Sequence, residues 1–406
     1  MLKSIAIMTS GGDSPGMNAA ARAVARTALY EGVRVWGIND GYQGLLDEDM
    51  WELESKDVGD IIQRGGTFLG TARCKDWTTP EGRRRGHENL IERGIEGLCV
   101  IGGDGSLRGA QLLAEEFGFP IVGLPGTIDN DVWGMDYTIG CDTACNTIVD
   151  AINKLRDTAS AHRRIIIVEV MGRHCGYLPL MSAVAGGADY VFTPEDPARD
   201  GWEDEMVNLL KEGRAAGRRE SIIIVAEGAM DRAGNPITSQ DIADAFKERT
   251  GEDARITILG HVQRGGTPSA YDRWMSTLLG YAAVQEILDP ADPDVASILG
   301  VRHNRVTRIP LMEAVHETRG VKDLIKSGDF QSAQAARGRS FTVMVGINQL
   351  LATPPHLADN PPKESGKRVA ILHAGGLAPG MNTAARAAVR LGIAKGWTML
   401  GVDGSW

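Results

Sequence analysis

Aromatic residues are scarce: Phe, Trp and Tyr make up 5% of the 406 residues. A β-sandwich packed on aromatic side chains is a poor expectation, and the 51 glycines point instead to many tight strand-to-helix turns. Positive charge is in deficit, with 43 Lys and Arg against 53 Asp and Glu, a net −10 at pH 7. Tracking a phosphate backbone takes clustered cations, so nucleic acid is not expected as a partner; a locally basic cleft can still hold a phosphorylated small molecule. No apolar run reaches the ~20 residues of a membrane span. Met1-Leu2-Lys3 leads into a strand-like stretch rather than a signal peptide, so a cytoplasmic location is expected. The five cysteines (Cys74, Cys99, Cys141, Cys145, Cys175) include no C-x-x-C pair and read as free thiols. Cys141 and Cys145 are four apart, but no His or Cys cluster follows to complete a metal site. What the chain does have, 43% hydrophobic and 24% charged residues, suits a globular protein of two or three domains.

A repeated grammar runs along the first 300 or so positions: a short apolar run, then glycine with an acid or hydroxyl, then a helical pattern. The runs at 5–8, 98–101, 121–124, 165–168 and 222–225 are continuous rather than alternating, as expected of strands buried on both faces of a parallel sheet. Segments Asn18–Glu31, Ser106–Phe117, Asp142–Asp157 and Ser239–Thr250 are long enough for crossover helices. The expected class is α/β, doubly wound, with ligands beyond the carboxyl ends of the strands, where the glycine-rich loops lie. Residues 368–404 repeat residues 4–40 with 15 identities in 37 positions. Ala352–Gly366 reads as a linker between a complete unit and the start of a second, so the expectation is a piece of a tandem duplication.

Four groups of residues carry chemistry. Thr9–Asn18 (TSGGDSPGMN) is a glycine-rich turn opening a helix, which presents free N–H groups to anions, but it is neither GxxxxGK[ST] nor GxGxxG. Gly102–Ser106 (GGDGS) sets a carboxylate beside such amides, suited to Mg²⁺ on a nucleotide; a helix cap is the plainer role for Asp104, but the recurrence of two such loops in one sheet favours function. Pro125–Asp131 (PGTIDND) offers two carboxylates and a hydroxyl, one acid to take a proton from an attacking hydroxyl and one to help with a metal. Arg73, Arg164, Arg173, Arg255, His261 and Arg264 follow or open strands and suit an anionic substrate, and Glu227 could meet sugar hydroxyls.

GGDSPGMNAAAR, GGTFLGTARC, IGGDGS, PGTIDND, VEVMGRHCG and LGHVQRGG resemble the successive signatures of the 6-phosphofructokinase family, in the family's order. With RIPLMEAV and RGRSF before the linker, the layout is similar to the double-length, eukaryotic-type members. The resemblance implies transfer of the ATP γ-phosphoryl group to the 1-hydroxyl of fructose 6-phosphate. It also implies two Rossmann-like subdomains in a unit spanning 1–351: an ATP-binding one (about 1–139 and 263–308) and a substrate one (about 140–262 and 309–351). A linker at 352–366 and a second, regulatory unit from 367 follow. By motif, Gly12, Arg73, Cys74, Gly103, Asp104, Gly105 and Ser106 would contact ATP, with Asp104 on Mg²⁺. Asp129 would be the proton acceptor, Thr127 and Arg173 would support the transferring group, and Arg73 would reach it too. Thr127, Ile128, Asp129, Met171, Gly172, Arg173, Glu227, His261, Val262, Gln263 and Arg264 would bind the sugar phosphate. Arg164 and Arg255 match positions that reach into a neighbouring subunit, implying a homo-oligomer, dimer or tetramer, with shared active sites.

Pyrophosphate-using relatives typically carry Asp at the position of Gly105 and Lys at that of Gly126, so the resemblance favours ATP as donor. A pyrophosphate-dependent enzyme and a non-catalytic regulatory subunit are the alternatives. In short bacterial relatives the positions of Arg22, Arg26 and Arg156 bind an effector nucleotide, and the matching glutamate is Asp189 here. Arg22 and Arg26 recur as Arg386 and Arg390, whereas Asp13-Ser14 becomes Leu377-Ala378.

Overall fold

A computed structural model describes residues 2–353 and 363–404. The strands, in chain order, are β1 Ser4–Ser10, β2 Arg34–Ile38, β3 Met50–Glu52, β4 Leu98–Gly102, β5 Ile121–Pro125, β6 Ile165–Val170, β7 Tyr190–Phe192, β8 Ser221–Ala226, β9 Arg255–Ile258, β10 Ser297–Arg302, β11 Arg305–Pro310, β12 Arg368–Ile371 and β13 Thr398–Gly401. They form a seven-stranded sheet of order β11-β10-β5-β4-β1-β2-β3, a four-stranded sheet β7-β8-β6-β9, and the pair β12-β13. The four-stranded sheet is parallel throughout, and the large sheet is parallel except at its edges, where β3 and β11 run antiparallel. Each apolar run behaves as expected: every residue of β1, β4, β5 and β8 is buried, because helices cover both faces.

The crossover helices close the layers. Helices Met17–Tyr30 and Asp104–Phe117 follow β1 and β4, and helix Ala270–Leu288 packs against Met17–Tyr30. Gly280 permits that approach, since a Cβ there would lie 2.5 Å from the Ala20 carbonyl oxygen and 2.7 Å from the Ala23 Cβ. In the large sheet the order reverses between β1 and β4, and the crevice beyond such a reversal is where ligands bind in open α/β sheets.

The division of the unit departs from expectation after β11. Helix Leu311–Ser327 stays with the large sheet, because Leu311, Ala314 and Val315 bury themselves beside Ala6, Met8, Ile298 and Ile309. Only then does the chain cross: Phe341 of helix Arg339–Ala352 is buried in the four-stranded sheet's cluster with Ile166 and Ile222. Of the expected linker, positions 354–362 lie outside the described residues. The sequence repeat is reproduced in its helix bounds and strand register, with β12 and β13 shorter than β1 and β2. Helices Met17–Tyr30 and Met381–Ala394 occupy matching positions, the pairing Ser4↔Arg34 matches Arg368↔Thr398, and Gly16 and Gly380 cap the helices with φ of 111° and 94°.

One buried ion pair ties the late helices to the loops. Arg337 and Glu195 side chains are 4% and 0% exposed and meet at 2.8 Å. The same guanidinium donates to the carbonyls of Asp131 and His174, and Glu195 also accepts from the Gly176 N–H at 2.8 Å. Arg337→Met, which strands the Glu195 carboxylate, should cost about 3–5 kcal/mol in urea unfolding, and Arg337→Met/Glu195→Leu should recover part of that loss.

Candidate active site

The carboxyl ends of β1, β4 and β5 are level: Ser10 pairs with Gly102, and Gly102 with Pro125. Three sequence-predicted loops therefore emerge side by side. Ser106 Oγ donates to Ser10 Oγ at 2.9 Å, and a Cβ on Gly103 would touch that of Thr127 at 3.4 Å. The Gly65–Cys74 stretch is drawn in as well, with Thr71 Oγ1 donating to the Gly11 carbonyl at 2.7 Å and Asn18 Nδ2 to that of Arg64 at 3.0 Å. Arg73 stays exposed on this rim, and Cys74 packs half-buried against the core.

At the third loop Asn130, not Asp129, shapes the turn. Its φ is 50°, its Oδ1 accepts from Thr138 N at 2.7 Å, and its Nδ2 donates to the Asp136 carbonyl at 3.0 Å. The Asp129 carboxylate makes neither of these bonds. Burial, then the nearby Asp131 carboxylate, pushes its pKa up to about 6, against the opposing pull of Arg264. Asp131 is raised too, by burial first, while Arg337 favours its charged form. Arg264 also lies over Gly12, where a Cβ would collide with its guanidinium.

The second sheet brings its own loops to the crevice. Met171 N donates to Gln263 Oε1 at 3.1 Å, Glu227 N to the Val170 carbonyl at 2.9 Å, and Arg173 Nη2 to Glu227 Oε1 at 2.8 Å. Gly172 holds its turn at φ 146°, where a side chain is strained. His261 and Val262, in the short 3₁₀ helix Gly260–Arg264, are exposed.

Not every expected contact residue presents its side chain. Ser106, Ile128 and Gln263 are 6%, 3% and 0% exposed: Ser106 turns to Ser10, Ile128 joins the second sheet's core, and Gln263 spans Met171 N and the Gly260 carbonyl. These side chains brace the loops from beneath rather than meeting a ligand. Arg164 and Arg255 lie at the opposite, amino ends of β6 and β9, so within one chain they do not join the crevice.

Asp104 opens helix Asp104–Phe117 as its first residue, the N-cap being Gly103, so its side chain is not spent on capping. Its Oδ2 meets Lys322 Nζ at 3.1 Å and its Oδ1 lies 3.5 Å from Arg319 Nε, yet Oδ1 is buried without a hydrogen-bond donor. An inward carboxylate oxygen lacking a donor fits Mg²⁺ that draws its other ligands from nucleotide phosphates and water. No group of three or more His, Cys, Asp or Glu side chains among the described residues forms an all-protein cage. Cys141 is buried in the second core with its thiol pushed well up by burial. Lys322 and Arg319 had no signal in the sequence, since both lie more than 200 positions from Asp104 on a helix face that reads as solvated.

A separate cavity of about 350 Å³ lies between the units. Arg156, Asp189, Arg218 and Glu220 line it with Arg386 of the second unit, while Arg390 donates to the Leu350, Leu351 and Thr353 carbonyls. The repeat thus supplies Arg386 where Arg22 of the same chain does not reach.

A sequence profile described as phosphofructokinase matches residues 4–287. The chain belongs to the phosphofructokinase family. It is 46% identical over 422 residues to the human liver-type ATP-dependent 6-phosphofructokinase, covering 98% of this chain and 54% of that protein. It is 44% identical to the muscle type from Oryctolagus cuniculus, covering 97% and 53%. The solved phosphofructokinase structure from Saccharomyces cerevisiae matches all of the chain and 57% of its own, with 39% identity and a TM-score of 0.95. The chain spans about half the length of the curated relatives it matches. Within this phosphofructokinase crevice a Cβ on Gly105 meets nothing within 4 Å, so that glycine leaves open space. A Cβ on Gly126 would press on Met17 Cε at 2.7 Å, so a lysine there would need the core to repack.

The carboxylate pair yields a direct test. In ¹³C-labelled aspartate titrations, Asp129 should lose its proton with a midpoint near 6, and Asp131→Asn should lower that midpoint by removing the like charge. A midpoint unmoved by the substitution would remove Asp131 as a cause and leave burial and Glu227 to raise it.

Proposed function

We propose that the chain carries the catalytic unit of an ATP-dependent 6-phosphofructokinase, moving the γ-phosphoryl group of ATP to the 1-hydroxyl of fructose 6-phosphate. The observation that carries this reading is the meeting of two unlike carboxylates in one crevice. Asp104 is paired with cations at the mouth of the β1/β4 loops, and Asp129 has a proton affinity raised to about 6. Phosphoryl transfer needs positioning and charge neutralisation more than covalent chemistry. Asp129, largely deprotonated at neutral pH yet more basic than a free carboxylate, accepts the proton of the attacking hydroxyl. Mg²⁺, held by Asp104, would neutralise the nucleotide phosphates. Gly12, Gly103 and Gly105 would meet the nucleotide through their backbone, Gly105 with open space beside it, and Arg73 stands at its rim. Glu227 and Met171 face the sugar; when a hydroxyl takes Glu227, Arg173 is released from its 2.8 Å pair and turns to the transferring group with Thr127. The ATP-dependent names of the relatives and the open space at Gly105 support ATP over pyrophosphate.

Arg164 and Arg255, far from their own crevice, together with His261 and Arg264 support a 6-phosphate site completed across a homo-oligomer, either dimer or tetramer. The reading places the enzyme in the cytoplasm, and no helix among the described residues is long and apolar enough to cross a membrane. The second unit would be regulatory, with a nucleotide or metabolite effector seated between Arg156 and Arg386.

Asp129→Ser should lower kcat by ~100- to 10,000-fold while calorimetric ATP binding survives, and kcat/KM of the unaltered enzyme should fall as pH drops through about 6. A coupled assay with each donor should give turnover with ATP; turnover with pyrophosphate alone would overturn the donor assignment. Mixing Asp129→Ser chains with Arg164→Ala/Arg255→Ala chains should restore activity that neither shows alone, since each hybrid interface has one complete site.

A further inference from the structure

Beside the crevice lies a second cavity, of about 460 Å³, that shares Arg173 and Lys322 with it. Its walls come from the loop after β6 (Arg173, His174), the loop after β8 (Arg232) and the last turns of helix Leu311–Ser327 (Lys322, Lys326), with Phe330 beyond. The lining holds four permanent cations and a histidine but no carboxylate, in a chain whose net charge is −10. Such a concentration of one sign is self-repelling, and a polyanion would offset it. Lys326 also stands in the final turn of its helix, whose dipole carries the negative end there.

The four cations are not equally engaged. Arg173 and Lys322 are held by Glu227 and Asp104, neither of which lines the cavity. Arg232 and Lys326 make no ion pair within 4 Å among the described residues. The His174 imidazole already senses the accumulated charge: burial, then Lys322 and Arg173, hold its pKa below the ordinary histidine value. The volume falls in the range of ~300–1,000 Å³ typical of small-molecule sites.

We propose that this cavity is a second binding site, for a small polyanion bearing phosphate or several carboxylates, gripped by Arg232 and Lys326 at its edge and Lys322 within. One consequence follows from Lys322 being shared. An anion on that ammonium competes with Asp104 for it, so filling the cavity frees the Asp104 carboxylate and strengthens metal binding there. This coupling rests on the reading of Asp104 as the metal-holding residue; the anion site itself does not.

The test is calorimetric, on the full chain, with inorganic phosphate and tricarballylate as separate probes for the phosphate and carboxylate sources. At least one probe should bind, and Arg232→Ala/Lys326→Ala should weaken it at least tenfold while leaving MgATP affinity and the thermal unfolding midpoint of the anion-free protein unchanged. Binding of neither probe, undiminished binding to that variant, or loss of binding in Arg386→Ala instead would overturn the site. Mg²⁺ titrations read the coupling: affinity should rise several-fold with the anion bound, and Lys322→Met should show the higher affinity without it. Mg²⁺ affinity indifferent to both changes would overturn the coupling. Mg²⁺ affinity unchanged in Asp104→Asn would instead overturn the metal-holding role of Asp104, and the comparison of Arg232→Ala/Lys326→Ala with the unaltered chain is independent of that result.

Discussion

The crevice depends on a charge pair that never meets the ligand. Arg337 and Glu195 are buried together, and through them the end of helix Phe330–Ala336, the backbone of the Asp131 loop and the backbone of the Arg173–Gly176 turn share one set of hydrogen bonds. Two carboxylates as close as Asp129 and Asp131 repel each other, and an exposed loop would relieve this by opening. The guanidinium behind them favours the charged form of Asp131 and, by donating to its backbone, keeps the loop in place. The mutual repulsion of the Asp129 and Asp131 carboxylates is thus met by a fixed countercharge.

The same logic recurs along the crevice. Three charged groups assigned to the reaction are matched here by internal partners: Asp104 by Lys322 and Arg319, Arg173 by Glu227, Asp129 by the field of Arg264. Isolated charges in a partly dry crevice would be costly, and pairing lowers that cost while leaving every partner replaceable by substrate or metal. Arg173 is 71% exposed on its side chain, so releasing it needs no rearrangement of the core.

Much of this was legible in the chain. Continuous apolar runs mark buried parallel strands because neither face needs polar residues, and the loops after β1, β4 and β5 read as chemical because they are more polar than turns require. Local pattern could not reach the third layer of the site. Lys322 and Arg319 lie on a helix whose apolar side, Leu311, Ala314 and Val315, predicts packing but not against which sheet, and the expected split at 309 failed at that helix. Ser106, Ile128 and Gln263 carry motif positions faithfully but point inward, since a motif constrains the loop's shape as well as its contacts.

Arg386 reaches the cavity of Arg156 from a neighbouring unit on the same polypeptide. A tether of this kind holds the second unit at an effective concentration of roughly millimolar, so the pocket is assembled without waiting for two molecules to collide. Dilution, which dissolves a pocket built between separate chains, leaves this one whole.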